Sequence, residues 1–356
     1  MKVLFVGLGG IGQRHLRNLR TLRGDSLDAI AYRVRADSPA LTDQLEVEPG
    51  VDVMAKYAVR ACADLSSGLD EAPDLVVISN PSSLHVETAR AAVQRGLPVF
   101  VEKPLGHSPD GVASLVVEAE RRQVVATVGY QLRFHPCLQR AKLAISEGLL
   151  GRVLAVRCQV GEYLPGWHKY EDYRHMYAAR RDLGGGVILS QIHELDYLYW
   201  LFGMPSRVFT VGGHLSDLEL DVEDVASTVM EIDRGDGRIP VQLHQDYVQR
   251  PPARTCEVVG THGKLTVDLA LPSLTRFGET GELVEAFEPS GFMRNDLFLD
   301  EARHMLRCVA RESEPRVSLR DGAKSLLLAL ASRTSMQTGA VVDVAQFAAD
   351  VGLNVL

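Results

Sequence analysis

The chain has 356 residues, 46% hydrophobic and 24% charged, the make-up of an ordinary globular protein long enough for two domains with sizeable cores. Lys plus Arg number 38 against 46 for Asp plus Glu, a net charge of -8, which excludes a broad basic footprint for nucleic acid. The five cysteines, Cys62, Cys137, Cys158, Cys256 and Cys308, form no CxxC pair, so reduced thiols are expected, with no disulfide and no metal site. No apolar run reaches membrane-spanning length and the first residues enter a strand without a basic leader, so the expectation is a cytoplasmic protein with no membrane partner.

An apolar strand, Val3 to Val6, runs into Gly7-Leu8-Gly9-Gly10-Ile11-Gly12 and then a helix from Gln13 to Arg23. This is the pattern of a dinucleotide-phosphate cradle. Gly7 makes the tight turn, Gly9 lets backbone approach a pyrophosphate, and Gly12 lets the helix pack on the strand. The helix offers its unpaired N–H groups and positive end to the phosphates, with Gly10 and Ile11 in the candidate cofactor-binding set. The next strand, Leu27 to Tyr32, ends at Arg33, about twenty residues past the glycines, where an acid would bind the ribose 2'-hydroxyl of NAD. A guanidinium there suits a 2'-phosphate and favours NADP over NAD, while Asp37 keeps the NAD reading open.

Further Val- and Ile-rich runs at Leu75 to Ser79, Val99 to Val101 and Val124 to Val128 alternate with helical patterns at Leu84 to Arg95 and Gly111 to Arg122. Buried parallel strands separated by helices predict an α/β fold, with a doubly wound Rossmann domain over residues 1–128. After a helix from Cys137 to Glu147 the pattern changes to longer strands with short turns: Arg152 to Val160, Arg207 to Val211, Ala226 to Ile232, Pro240 to Tyr247 and Thr255 to Val259. The turn Arg234-Gly235-Asp236-Gly237 marks an antiparallel connection. Residues 129–356 therefore read as an α+β domain, closed by helices from about Asp296 to Arg311 and Leu319 to Thr338.

Two segments lie where strands end, the edge at which ligands bind in such sheets. In Ser79-Asn80-Pro81-Ser82-Ser83-Leu84-His85, the residues Ser79, Asn80 and His85 are candidates to face the cofactor, His85 having the plainer reading of a locally bonded helix histidine. In Glu102-Lys103-Pro104 the proline restricts its own backbone and that of the residue before it, which holds Lys103 at a strand end. Standing alone, that motif would read as a surface turn.

It does not stand alone. The glycine turn with His15, Asn80-Pro81 with His85, Glu102-Lys103-Pro104, Gly129-Tyr130-Gln131-Leu132-Arg133-Phe134-His135-Pro136, and Gly184-Gly185-Gly186 leading to His193 occur in that order. Together they resemble the Gfo/Idh/MocA oxidoreductases over essentially the whole chain, including the late Gly260-Thr261-His262-Gly263 turn. The resemblance implies an NAD or NADP cofactor, a second domain built on a large, mostly antiparallel open sheet, and sugar, inositol or related polyol substrates. It also implies a homodimer or homotetramer, because the open face of that sheet is commonly covered by another subunit. Lys103 and His193 are the residues it turns toward the substrate, with Glu102 and Lys103 also beside the cofactor.

There is one departure. Many relatives carry an aspartate a few residues ahead of the histidine, and Ser190 or Gln191 stands in its place. Proton handling then falls to Lys103 and His193, with Asp196 a candidate to orient His193 or, equally, a buried partner of an arginine. A His193, Glu194, Asp196 metal site is conceivable, but its spacing fits no metal pattern. Histidine starts at about 6.5 and lysine at about 10.4, so His193 is the easier proton acceptor at neutral pH, while Lys103 is either a base depressed by burial or the nicotinamide charge or a cation that hydrogen-bonds the reacting oxygen and stabilises a developing alkoxide.

The stretch from Tyr163 to Arg181 is dense in aromatic and basic side chains. Trp167, Tyr177 and Arg180 are its candidate substrate contacts, as stacking surfaces and an anion clamp, with a packed inter-strand loop or a subunit contact the alternative. Tyr130, Arg133 and Gln191 complete the candidate substrate-facing set. The leading expectation is an NAD(P)-dependent dehydrogenase or reductase of sugars or cyclitols. The alternatives are redox-assisted elimination with transient cofactor use and a non-catalytic cofactor-sensing regulator.

Overall fold

A computed structural model describes residues 1–34, 39–235 and 237–354. Asp37 and the tip of the turn at Asp236 lie outside the described residues. The first third alternates strand and helix: β1 (Lys2–Val6), α1 (Gly10–Arg23), β2 (Asp28–Tyr32), α2 (Val53–Lys56), β3 (Arg60–Ala61), α3 (Leu65–Asp70), β4 (Leu75–Ile78), α4 (His85–Gln94), β5 (Val99–Glu102), α5 (Val112–Arg121) and β6 (Ala126–Gly129). Then come α6 (Pro136–Ser146), β7 (Val153–Gly161), α7 (Val187–Ser190), α8 (His193–Phe202), β8 (Arg207–Gly213), β9 (Val225–Arg234), β10 (Gly237–Asp246), β11 (Ala253–Gly260), β12 (Gly263–Asp268), β13 (Ser273–Phe277) and β14 (Leu283–Phe287). The chain continues through α9 (Arg294–Val309), α10 (Leu319–Thr338), β15 (Val342–Asp343) and α11 (Val344–Asp350). Among the described residues no helix is long and apolar enough to cross a membrane.

The first sheet has six strands in the order β3-β2-β1-β4-β5-β6, with every pairing parallel. Val3 to Val6 and Leu75 to Ile78 are buried throughout, as strands covered by helices on both faces must be. Strand order reverses between β1 and β4, the switch point where such sheets open a crevice at their carboxyl ends. Gly7 donates to the Tyr32 carbonyl at 3.0 Å and Ser79 donates to that of Val6 at 2.9 Å, so the ends of β1, β2 and β4 come together there.

The second sheet runs β14-β13-β12-β11-β7-β10-β9-β8-β15, antiparallel except where β10 lies parallel to β7. This is the α/β and α+β architecture expected, with the two-residue β15 at one edge and β12, β13 and β14 at the other in addition. Those strands mix polar and apolar residues along partly exposed backbone, which weakens their periodicity. One feature crosses the expected division at residue 128. Helix α9 places Ala302 and Met305 in one core with Val3, Phe5, Leu16 and Leu75, so a late segment covers a face of the first sheet. Val128 N–H and the Thr127 hydroxyl both donate to the Val317 carbonyl, at 3.1 and 2.8 Å, which ties the entry to α10 onto β6.

Candidate active site

The glycine turn has the shape its chemistry needs. Gly7 sits at φ +95°, where a Cβ would lie 2.9 Å from the Asn80 nitrogen, and a Cβ on Gly12 would lie 2.4 Å from the Gly7 carbonyl oxygen. A Cβ on Gly9 would meet nothing within 4 Å, so that side of the turn is open. Helix α1 begins there with no side-chain cap and no acidic residue in its first turn, leaving its N–H end to an anion. The cradle thus fits a dinucleotide. Arg33 is half-buried directly after β2.

Ser79 and Asn80 serve the frame of this cradle. The Ser79 hydroxyl donates to the Gly7 carbonyl at 2.9 Å, and the Asn80 amide donates to Thr88 Oγ1 at 3.2 Å. His85, the first residue of α4, is 1% exposed, with Nδ1 2.7 Å from the Pro104 carbonyl and Nε2 2.8 Å from the Asn80 carbonyl. Both nitrogens face backbone, so His85 clamps the Asn80 turn to the turn after β5 and its ring is closed to a cofactor. Burial lowers its pKa, against the opposing pull of the Pro104 and Asn80 carbonyls.

Glu102 is likewise occupied by its own chain. One carboxylate oxygen lies 2.6 Å from His15 Nε2 on α1, and the other accepts the Lys103 backbone N–H at 3.1 Å. Burial would raise this carboxyl, but the His15 hydrogen bond and the charges of His15 and Lys103 outweigh it and hold Glu102 below its ordinary range. Glu102 therefore locks the cofactor helix to the lysine-bearing turn.

Lys103 reaches from that turn into the second domain, where its ammonium donates to the Ser190 carbonyl at 2.7 Å. The acceptor exists because the segment after the glycine triplet forms two helices and not one, α7 ending at Ser190 and α8 starting at His193, with Gln191 at φ -99°, ψ 34° between them. The carbonyls freed by the break are taken by side chains, that of Gln191 by the Gln245 amide at 2.9 Å. His193 opens α8 directly beyond the break and is 5% exposed. Its Nε2 lies 3.3 Å from the Gln131 amide nitrogen and its ring meets Tyr130 edge-on at 5.6 Å, while Nδ1 has no partner among the described residues. Burial, then the charges of Lys103, Arg254 and Arg294, push its pKa well below that of a free imidazole. A place at a helix N-terminus acts in the same direction. His193 is thus a neutral base beside a lysine cation.

The acids around His193 have other work. Asp196 receives Arg133 through two hydrogen bonds, Nε to Oδ2 at 2.9 Å and Nη2 to Oδ1 at 2.8 Å, and Ser325 donates to the same Oδ1 at 2.9 Å. Arg133 and Asp196 are 4% and 1% exposed. Asp196 thus takes the second of its two expected roles, the buried partner of an arginine, and one expectation is corrected: Arg133 is spent on that pair and is withdrawn from the substrate-facing set. Glu194 is held by Arg254 at 2.7 and 3.0 Å. With both carboxylates committed to arginines, the His193, Glu194, Asp196 metal arrangement does not assemble, and the described residues hold no cluster of three or more metal-ligating side chains.

Gln191 and Trp167 come to the same region. Gln191 donates to the Asp246 carbonyl at 2.9 Å, and Trp167 packs edge-on against Tyr247 at 5.4 Å with its buried indole N–H unpartnered among the described residues. Arg180 instead points to Asp182, at 3.0 and 2.7 Å, on the partly exposed side of its loop, so as placed it clamps a neighbouring carboxylate. The glycine triplet explains how this loop packs. A Cβ on Gly185 would lie 2.3 Å from the Tyr177 carbonyl, and one on Gly186, at φ +107°, would lie 2.3 Å from a Glu223 carboxylate oxygen. Tyr177 is half-buried and contributes this backbone contact. Arg254, Gln245 and Ser325 were not readable as site residues, since each meets its partner only through pairings of distant strands and helices.

Two family models match: the oxidoreductase family with an NAD-binding Rossmann fold over residues 1–130, and the GFO/IDH/MocA C-terminal domain over residues 138–266. The D-xylose 1-dehydrogenase (NADP(+)) 2 of Haloferax volcanii is 27% identical over 347 residues, covering 95% of this chain and 98% of that protein. The myo-inositol 2-dehydrogenase of Thermotoga maritima is 25% identical over 344 residues, covering 95% and 96%. Among solved structures, levoglucosan dehydrogenase in complex with NADH superposes with a TM-score of 0.80 at 19% identity, covering 97% of this chain and 99% of that one. The two models between them span both halves of the fold, and the chain belongs to the Gfo/Idh/MocA family of oxidoreductases.

Proposed function

We propose that this protein is an NAD(P)-dependent dehydrogenase or reductase acting at a hydroxyl- or keto-bearing carbon of a sugar, sugar derivative or cyclitol, with Lys103 and His193 as its catalytic residues. The observation that carries the reading is the Lys103 ammonium on the Ser190 carbonyl, at the helix break from which His193 projects. Bound nicotinamide supplies hydride transfer. Gly9, Gly10, Ile11 and Gly12 hold the pyrophosphate and Arg33 the adenosine ribose end, the last favouring NADP. In the oxidising direction the substrate hydroxyl displaces the long Gln131 contact and gives its proton to neutral His193 Nε2. Lys103 donates to the same oxygen and stabilises the charge that develops on it. In reduction the roles reverse. Trp167, Tyr130 and Gln191 line the approach, the free indole N–H suiting a sugar hydroxyl.

Names of relatives across the family, which include xylose and inositol dehydrogenases, support the substrate class. The second sheet leaves Phe209, Val211 and Val229 on its outer face, exposed by 37%, 62% and 49%, which supports a second copy of the chain seated there and a homodimer or homotetramer. The test incubates purified protein with NAD or NADP and a panel of sugars, sugar acids and inositols, following absorbance of the reduced cofactor. Stoichiometric reduction of bulk cofactor supports dehydrogenation, and turnover that needs only catalytic cofactor would replace it with transient redox. Arg33→Ala is expected to weaken NADP while sparing NAD; equal loss of both removes the NADP assignment.

A further inference from the structure

Three of the four glycines in the opening turn are explained by the turn itself: the left-handed backbone at Gly7, the open side at Gly9 and the packing contact at Gly12. Gly10 is not. The dinucleotide pattern leaves that position free, and its backbone is not among the glycines at positive φ. Yet a Cβ there would lie 2.9 Å from the Tyr170 hydroxyl, with Leu45 and Leu41 side chains at 3.5 and 3.7 Å. Tyr170 belongs to the segment between β7 and α7, so a strap from the second domain crosses onto the first turn of the cofactor helix.

We propose that Tyr170 is a cofactor-binding residue whose hydroxyl donates to the dinucleotide pyrophosphate at the N-terminus of α1. The inference rests on the dinucleotide reading above and adds to it a ligand supplied by the other domain. Gly10 is then glycine to admit the phenol, next to the open side of Gly9. The tyrosine is held in place: His168 stacks on it at 5.0 Å with 16° between ring planes, and His168 Nδ1 lies 2.7 Å from Glu171 Oε1 and 3.3 Å from the Tyr170 hydroxyl. Burial, then the charge and hydrogen bonding of Glu171, raise the phenol's pKa, so it keeps its proton at neutral pH and can donate to phosphate oxygen. The same strap carries Trp167, which couples cofactor retention to the wall of the substrate site.

The test compares wild type with Tyr170→Phe by calorimetric and fluorescence titration of NADH, NADPH, ADP-ribose and adenosine. A charge-assisted hydrogen bond lost from the pyrophosphate predicts roughly tenfold weaker binding of the first three, with adenosine and the melting temperature unchanged. Gly10→Ala provides a second reading, because its methyl group should weaken ADP-ribose binding more beside Tyr170 than in a Tyr170→Ala background. Equal or tighter dinucleotide binding by Tyr170→Phe would overturn the inference alone, as would a parallel loss of adenosine. Wild-type protein that binds neither cofactor nor ADP-ribose would overturn the dinucleotide reading and this inference with it.

Discussion

The Lys103 ammonium and the Ser190 carbonyl, 87 positions apart, meet at 2.7 Å where one helix stops and the next begins with His193. The cation is thus anchored by a carbonyl freed by the break, and its charge reaches the imidazole three residues on. Removing the ammonium should cost chemistry before binding. Lys103→Ala is expected to lower kcat by roughly a hundred- to ten-thousandfold while the cofactor Kd stays within about twofold of wild type. Steady-state kinetics alongside cofactor titration measures both, and a fully active variant would remove Lys103 from the mechanism.

The buried pair of Arg133 and Asp196 makes a prediction about stability. Asp196→Ala would leave a guanidinium buried without its carboxylate, and such a loss costs about 3–5 kcal/mol. Urea unfolding of the variant should show that drop, whereas an orienting role for Asp196 on His193 would appear in the pH profile of kcat with stability little changed.

His135 predicts a stability slope with pH. It caps α6, with Nδ1 accepting the Cys137 N–H at 3.2 Å, and is 2% exposed; burial and the charge of Arg254 lower its pKa to about 4. In the unfolded chain the ring takes up a proton near about pH 6.5, so between there and about 4 the unfolded state holds more protons and stability falls as pH falls. The contribution reaches about 2 kcal/mol by pH 5. His135→Asn keeps a capping acceptor and loses the titration, so its stability relative to wild type should improve by that amount between pH 7 and 5 in denaturant titrations.

Gly186 is required twice over, by its backbone at φ +107° and by the Glu223 carboxylate standing where a Cβ would go. That carboxylate also accepts the Ile188 N–H at 3.4 Å and pairs with Arg333 at 3.4 Å, so it has little room to yield. Gly186→Ala should destabilise by on the order of 2 kcal/mol or more through backbone strain and the displaced pair. Thermal unfolding measures it, and an unchanged midpoint would mean that the loop and Glu223 repack freely.

Some of this protein was settled by neighbours in sequence. The Val-rich runs are strands because continuous apolar segments bounded by turns must be buried on both faces, and the spacing of Gly7, Gly9 and Gly12 follows from backbone sterics within six residues. Glu102-Lys103-Pro104 and His193 were singled out by the ordered resemblance to the family, since the lysine turn by itself reads as a surface turn. Contacts between distant segments were not readable. Arg133 with Asp196, Glu194 with Arg254, Lys103 with Ser190 and Tyr170 over Gly10 depend on how two sheets and the returning helix α9 are stacked, and no local propensity encodes such partners. The helix break at Gln191 contains neither Pro nor Gly. It persists because Lys103 and Gln245 supply hydrogen bonds to the carbonyls it frees, and those side chains arrive only when the fold is complete.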